Sequence, residues 1–129
     1  MDQDRVITYR AIGWVENGFK ERAAPEAIAA GESRIVLDPA LADGLDGLQA
    51  GQRLLVLFHF DRSQGYELRQ HHRGDPDQPL RGVFALHSPR RPNPIGATVV
   101  DLLAIEGHVL RVRGLDALDG TPVLDLKPA

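Results

Sequence analysis

Three prolines within six residues, Pro89, Pro92 and Pro94, exclude a helix or a central strand at that point of the chain. Each lacks a backbone donor and fixes its own φ. Each also pushes the residue before it (Ser88, Arg91 or Asn93) toward extended backbone. The apolar run just upstream, Gly82-Val83-Phe84-Ala85-Leu86, reads as a buried strand. Residues 87–96 then read as a stiff extended loop, with Gly96 free to turn it. Such a frame holds His87, Ser88, Arg90, Arg91 and Asn93 in nearly fixed directions, which lowers the entropy lost on binding a ligand. A rigid turn that only joins two strands is the simpler reading, but five polar side chains on one proline frame exceed what a connector needs.

The rest of the chain is patterned for strands. Val6 to Val15 is rich in β-branched and aromatic residues and reads as the first strand, ended by Asn17-Gly18. Ser33 to Leu37 is a short second strand. Asp38-Pro39 starts a helix, with Asp38 as cap and Pro39 in its first position, followed by Leu41, Leu45 and Leu48 at helical spacing. Gly44 and Gly47 weaken it, and its expected job is to cover one mouth of a barrel. Arg53 to Phe60 is the most apolar strand and lacks a clean alternation, so both faces are expected to be buried. Residues 62–79 are polar, with an edge strand expected over Tyr66 to His72 and a loop at Asp75-Pro76-Asp77-Gln78-Pro79. Ala97 to Ile105 is a long strand, Glu106-Gly107 a hairpin turn, Val109 to Arg113 a strand and Asp119-Gly120 a turn before a last strand, Val123 to Leu126. Seven or eight short strands and one short helix predict an all-β domain of about seven strands, closed or nearly closed because open edges invite unwanted pairing.

At 129 residues the chain is long enough for one core, and the expectation is a single domain, 1–129. No apolar run reaches the ~18 residues of a membrane helix. The acidic start, Met1-Asp2-Gln3-Asp4, does not read as a signal peptide, and none is expected. With no cysteine, disulfides, thiolate metal sites and a cysteine nucleophile are excluded, and a cytoplasmic location is expected. The net charge of −3 argues against a nucleic-acid partner until its distribution is considered. Between Arg69 and Arg91 stand Arg69, Arg73, Arg81, Arg90 and Arg91 against Asp75 and Asp77. A local basic stripe can supply a phosphate footprint that the global charge hides; a solvated loop is the plainer reading. No G-x-G-x-x-G follows a strand, and no Ser-His-Asp set has a nucleophile elbow.

Two stretches carry a resemblance. Gly82 to Gly96, G-V-F-A-L-H-S-P-R-R-P-N-P-I-G, resembles a signature of the YaeB/TsaA-like family, also called the TrmO-like family, of tRNA methyltransferases that use S-adenosylmethionine. Gly114 to Pro128, G-L-D-A-L-D-G-T-P-V-L-D-L-K-P, is similar to a second signature of that family. Phe19 to Pro25, F-K-E-R-A-A-P, resembles a third segment, although Glu26-Ala27 follows where the family usually has Arg-Gln. The likeness spans roughly residues 6–128.

The resemblance implies a β-barrel that methylates the exocyclic nitrogen, N6, of threonylcarbamoyl-adenosine beside the tRNA anticodon. The reaction would be an in-line displacement at the methyl carbon. It implies cofactor contacts from Phe60, Asp61, His87, Ala97, Asp119, Gly120, Thr121 and Pro122. It implies RNA or threonylcarbamoyl contacts from Ser88, Arg90, Arg91, Asn93 and Lys127, with Arg91, Asn93 and Asp116 as candidates for a catalytic part. Asp116 or Asp119 can accept from the ribose or amine of the cofactor, and turn chemistry alone would also explain both. His87 stands where the family usually has arginine, so an always-charged group is replaced by one that titrates in the physiological range. The family implies a homodimer with its site near the interface and no metal. Many bacterial members carry a second, C-terminal domain; the last motif here ends at Pro128, so the barrel alone is expected. Two rivals stand beside this. One is a non-catalytic ligand- or RNA-binding barrel. The other is a metal-dependent hydrolase using His59, Asp61, His71 and His72, whose spacing matches no specific metal motif.

Overall fold

A computed structural model describes residues 5–18 and 31–129. The segment Phe19 to Pro25, read above as a family motif, lies outside the described residues. Eight strands are found among the described residues: β1 (Gly13–Glu16), β2 (Glu32–Leu37), β3 (Arg53–His59), β4 (Arg69–His71), β5 (Leu80–Gly82), β6 (Ile95–Glu106), β7 (Val109–Arg113) and β8 (Pro122–Pro128). Six of them close a barrel in the order β1-β2-β7-β6-β3-β8, and β4 pairs with β5 in a separate two-stranded ribbon. Every barrel neighbour is antiparallel. The expected all-β barrel is therefore present, and closure leaves few open edges.

The barrel interior is aliphatic. Val15, Ile35, Leu54, Val56, Phe58, Val100, Leu102, Leu110, Val112, Leu115 and Val123 form one buried cluster, each at 2% exposure or less. Burying each such side chain contributes roughly 1.5–3 kcal/mol. β3 corrects an expectation: Leu54, Val56 and Phe58 point inward, whereas Leu55, Leu57 and His59 are only half-buried. A barrel strand has an inside and an outside, and among the described residues no helix covers β3 from without as helices would in a parallel sheet.

Other boundaries differ for physical reasons. The first strand is confined to Gly13–Glu16; Val6, Ile7 and Tyr9 lie exposed upstream of it. The β propensity of those residues finds no ladder to join, because β8 pairs with β1 only at Gly13–Val123 and Trp14–Pro122. The run Gly82–Leu86 is not a buried strand. β5 stops at Gly82, Val83–Ala85 form a 3-10 turn, Val83 is buried and Phe84 is 80% exposed. The edge strand expected over Tyr66–His72 shrinks to β4. The segment Pro39–Leu45 is a 3-10 helix, with Asp38 Oδ1 accepting from Ala40 N at 3.0 Å and Leu45 inserted into the core. The predicted cap and proline start hold, while the glycines keep it short of an α-helix.

The antiparallel order has one functional consequence. The ends of β1, β3 and β7 and the starts of β2, β6 and β8 all lie at the same end of the barrel. The 60–94 excursion and the 114–121 loop, which together carry the two signatures, leave from that end. The 3-10 helix and the Gly107-His108 turn sit at the other.

Candidate functional site

The end of β3 is the junction of the site. Past His59 the chain makes a tight turn, with Asp61 N donating to His59 O at 2.9 Å and Ser63 N to Phe60 O at 3.2 Å. This turn grips the proline loop twice: Phe60 N donates to Pro94 O at 2.8 Å, and Ser63 Oγ to Pro89 O at 2.9 Å. It also reaches the second signature, because Arg62 Nη2 donates to Asp119 O. Two motifs remote in sequence are thus tied to one four-residue turn. Phe60 is half-buried and meets Phe58 edge-to-face, with centroids 5.2 Å apart and planes at 73°. Gly96 serves this pair rather than a turn. It lies within β6 opposite Phe58, and a Cβ there would overlap the Phe58 and Phe60 rings.

The Asp119-Gly120 turn is held from the opposite side by the end of β1. Asn17 N donates to Asp119 Oδ1 at 2.8 Å, and Gly120 N to Val15 O at 2.7 Å. Asn17 Nδ2 donates to Ser33 Oγ at 2.9 Å and to Ala117 O at 3.0 Å, which satisfies a serine that is 1% exposed. Gly120 adopts φ +83°, a conformation that disfavours any side chain. Thr121 is buried, Asp116 is exposed, and Pro122 begins β8 beside Trp14. One carboxylate oxygen of Asp119 is therefore engaged in holding its own turn.

The basic stripe is partly spent on the fold. Arg91 is half-buried, and its Nη1 donates to Leu86 O at 2.8 Å and Ser88 O at 3.2 Å. Arg90 pairs with Glu67 at 3.3 Å, and its N donates to Ser88 Oγ at 3.2 Å. Gln70 Nε2 donates to Arg90 O at 2.6 Å and thereby fastens the β4–β5 ribbon to the proline loop. His87 and Asn93 remain exposed on that loop, and Ala97 is exposed on β6 next to it.

Phe60, Asp61, His87, Ser88, Arg90, Arg91, Asn93, Ala97, Asp116, Asp119, Gly120, Thr121 and Pro122 thus all belong to one end of the barrel. Lys127 does not. It sits opposite Leu55, five residues down β8 and roughly 17 Å from Pro122, paired with Asp125 at 3.2 Å. Among the described residues no three His, Asp or Glu side chains converge as a metal cluster, so the set His59, Asp61, His71 and His72 is not assembled. A shallow depression of about 360 Å³, lined by Ile12, Leu37, Leu41 and Leu126 among others, lies against the 3-10 helix, away from the proline loop and the Asp119-Gly120 turn. Three residues that organise the site, Asn17, Arg62 and Ser63, stood in the sequence as a strand stop and as part of a polar run. Asn17 before Gly18 was the one visible signal, since asparagine at a strand end commonly bonds neighbouring backbone.

A closed six-stranded barrel with two motif loops clasped at one end defines a small all-β barrel class. Residues 16–129 match the tRNA-methyltransferase O N-terminal domain family, and the chain belongs to that family. It is 41% identical over 128 residues to a probable S-adenosyl-L-methionine-binding protein of Methanothermobacter thermautotrophicus, covering 97% of this chain and 91% of that one. It is 34% identical over 132 residues to the tRNA (adenine(37)-N6)-methyltransferase of Escherichia coli K12, covering 93% of this chain and 56% of the enzyme. The crystal structure of TrmO from Pseudomonas aeruginosa superposes with a TM-score of 0.75 at 30% identity, over 97% of this chain and 56% of that one. The chain thus spans little more than half the length of these last two proteins.

Proposed function

We propose that this protein is an S-adenosylmethionine-dependent tRNA methyltransferase acting at the N6 of threonylcarbamoyl-adenosine beside the anticodon. The observation that carries the reading is the Phe60–Ser63 turn, which bonds both signature loops and so assembles residues from both into one surface. The residues fit the cofactor. Phe60 offers an apolar ring, Asp61 and Asp119 offer hydrogen-bond acceptors, and Gly120 leaves backbone approachable where a side chain would intrude. S-adenosylmethionine, when bound, supplies an activated methyl group.

The chain's own part is positioning. Arg91 braces the proline loop from within, Asn93 and His87 project from it, and the β4–β5 ribbon holds its outer side through Gln70. A rigid loop facing a rigid turn holds two reactants in a productive geometry, which by itself can supply several kcal/mol, up to roughly 7–11 in the best cases. We infer further that the RNA approaches across this end and that the protein works as a cytoplasmic homodimer. Tyr66, Leu68, Leu80 and Phe84 stand 54–80% exposed around the ribbon and the start of the proline loop, an apolar surface that a second copy would cover.

The test is methyl incorporation from labelled S-adenosylmethionine into tRNA that carries or lacks threonylcarbamoyl-adenosine. Incorporation only into the modified tRNA supports the assignment; incorporation into both moves the acceptor elsewhere. The relative in M. thermautotrophicus is named only for cofactor binding, and this favours a second reading, a binding barrel without catalysis. Cofactor affinity without incorporation into either tRNA would establish that reading.

A further inference from the structure

The two signature loops are not joined by any strand ladder at the level of the site. The β3–β8 pairing ends at Phe58–Val123, and the β1–β8 pairing ends at Trp14–Pro122. Beyond those points the continuation of β3 turns to the proline loop, through Phe60 and Ser63, while the Asp119-Gly120 turn is fastened to β1 through Asn17 and Val15. The distance between the loops is therefore set by what crosses from one to the other. Arg62 crosses: its Nη2 donates to the main-chain oxygen of Asp119. The same nitrogen lies 3.7 Å from where a Cβ on Gly120 would stand, so the guanidinium packs over the glycine backbone.

We propose that Arg62 is a positioning residue that sets the spacing between the proline loop and the Asp119-Gly120 turn. This rests on the reading of this end as the cofactor site. The contact is made to the main-chain oxygen of Asp119, while the Oδ1 of that residue accepts from Asn17 N. Arginine suits the task because its planar fork holds direction as well as charge, whereas lysine keeps only the charge and one donor.

The experiment measures cofactor Kd, tRNA KM and kcat for the wild type, Arg62→Ala and Arg62→Lys. It repeats the Kd with decarboxylated S-adenosylmethionine and adds hydrogen exchange at the Gly120 and Thr121 amides. Arg62→Ala is expected to raise the cofactor Kd about tenfold, the scale of one lost charged hydrogen bond. It should leave tRNA KM within about twofold, since Ser63 and Phe60 still hold the proline loop. Arg62→Lys should recover about half of that loss on a logarithmic scale. The loss should be equal for both cofactor forms, and exchange at Gly120 and Thr121 should quicken while Ile35 and Leu110 stay protected. An unchanged Kd, a parallel rise in tRNA KM, or a loss confined to the carboxylate-bearing cofactor would overturn the positioning role. A wild type that binds no cofactor would instead sink the reading of the site, and the exchange data would then decide the clamp alone.

Discussion

The two ends of the barrel are closed by different means. At one end the 3-10 helix Pro39–Leu45 is held mainly by neighbours in sequence: Asp38 Oδ1 accepts from Ala40 N, Asp46 N bonds Asp43 O, and Leu48 N bonds Leu45 O, with Asp38 N to Ile12 O as a remote tie at its start. Leu45 then plugs the core. At the other end the contacts join residues remote in the chain: Arg62 to Asp119, Asn17 to Asp119 and Ser63 to Pro89. Local contacts cost little loop entropy and report mainly on stability. Remote contacts fix the mutual placement of functional groups, so loosening them is expected to cost function before it costs the fold.

The largest separation of the two ends should come from Leu45→Ala. Truncating this buried side chain should destabilise the protein by about 2–5 kcal/mol, read by urea unfolding, while cofactor Kd stays within about twofold. A Kd that moved with stability would mean that the ends are coupled through the core. Gly96→Ala is the reciprocal case. The added methyl has no room beside Phe58 and Phe60, so stability should fall by about 1–3 kcal/mol and cofactor affinity should fall with it. If affinity survived, the Phe60 ring would not belong to the cofactor surface.

Arg91→Ala sharpens the role of the proline loop. It removes the braces to Leu86 O and Ser88 O, and should lower tRNA turnover severalfold while changing cofactor Kd less. Full turnover would show that the prolines alone keep the loop in place. The smallest effect is expected for His87→Arg. His87 is exposed, so stability should stay within about 0.5 kcal/mol, and cofactor should bind at least as tightly at neutral pH. Weaker binding would show that the histidine is not standing in for the arginine usual in this family.

Much of this was legible in the residues. β7 was read to the residue, the N-terminal cap of the 3-10 helix follows from Asp38-Pro39, and every proposed site residue except Lys127 lies at one end of the barrel. Local propensity suffices where partners are near in sequence or where alternation marks an inside and an outside. It failed at Val6–Tyr9, whose β-prone residues have no ladder to join, and at Val83–Ala85, which turn because β5 has already ended. It did not show that Lys127 lies apart from the motif loops, since a motif near the chain terminus runs down a strand away from the loop that begins it. It offered the arginines of the stripe as a phosphate footprint without showing that Arg91 is turned back onto carbonyls of its own loop.

By itself the sequence determined the chemistry on offer: a stiff proline frame, a turn that only glycine fits at position 120, and strands enough to close a barrel. Tertiary structure alone decided which of these meet. Arg62, Asn17 and Ser63 are ordinary polar residues with no local pattern to mark them. They become organisers only because antiparallel closure brings the ends of β1 and β3 and the start of β8 within hydrogen-bond reach of one another.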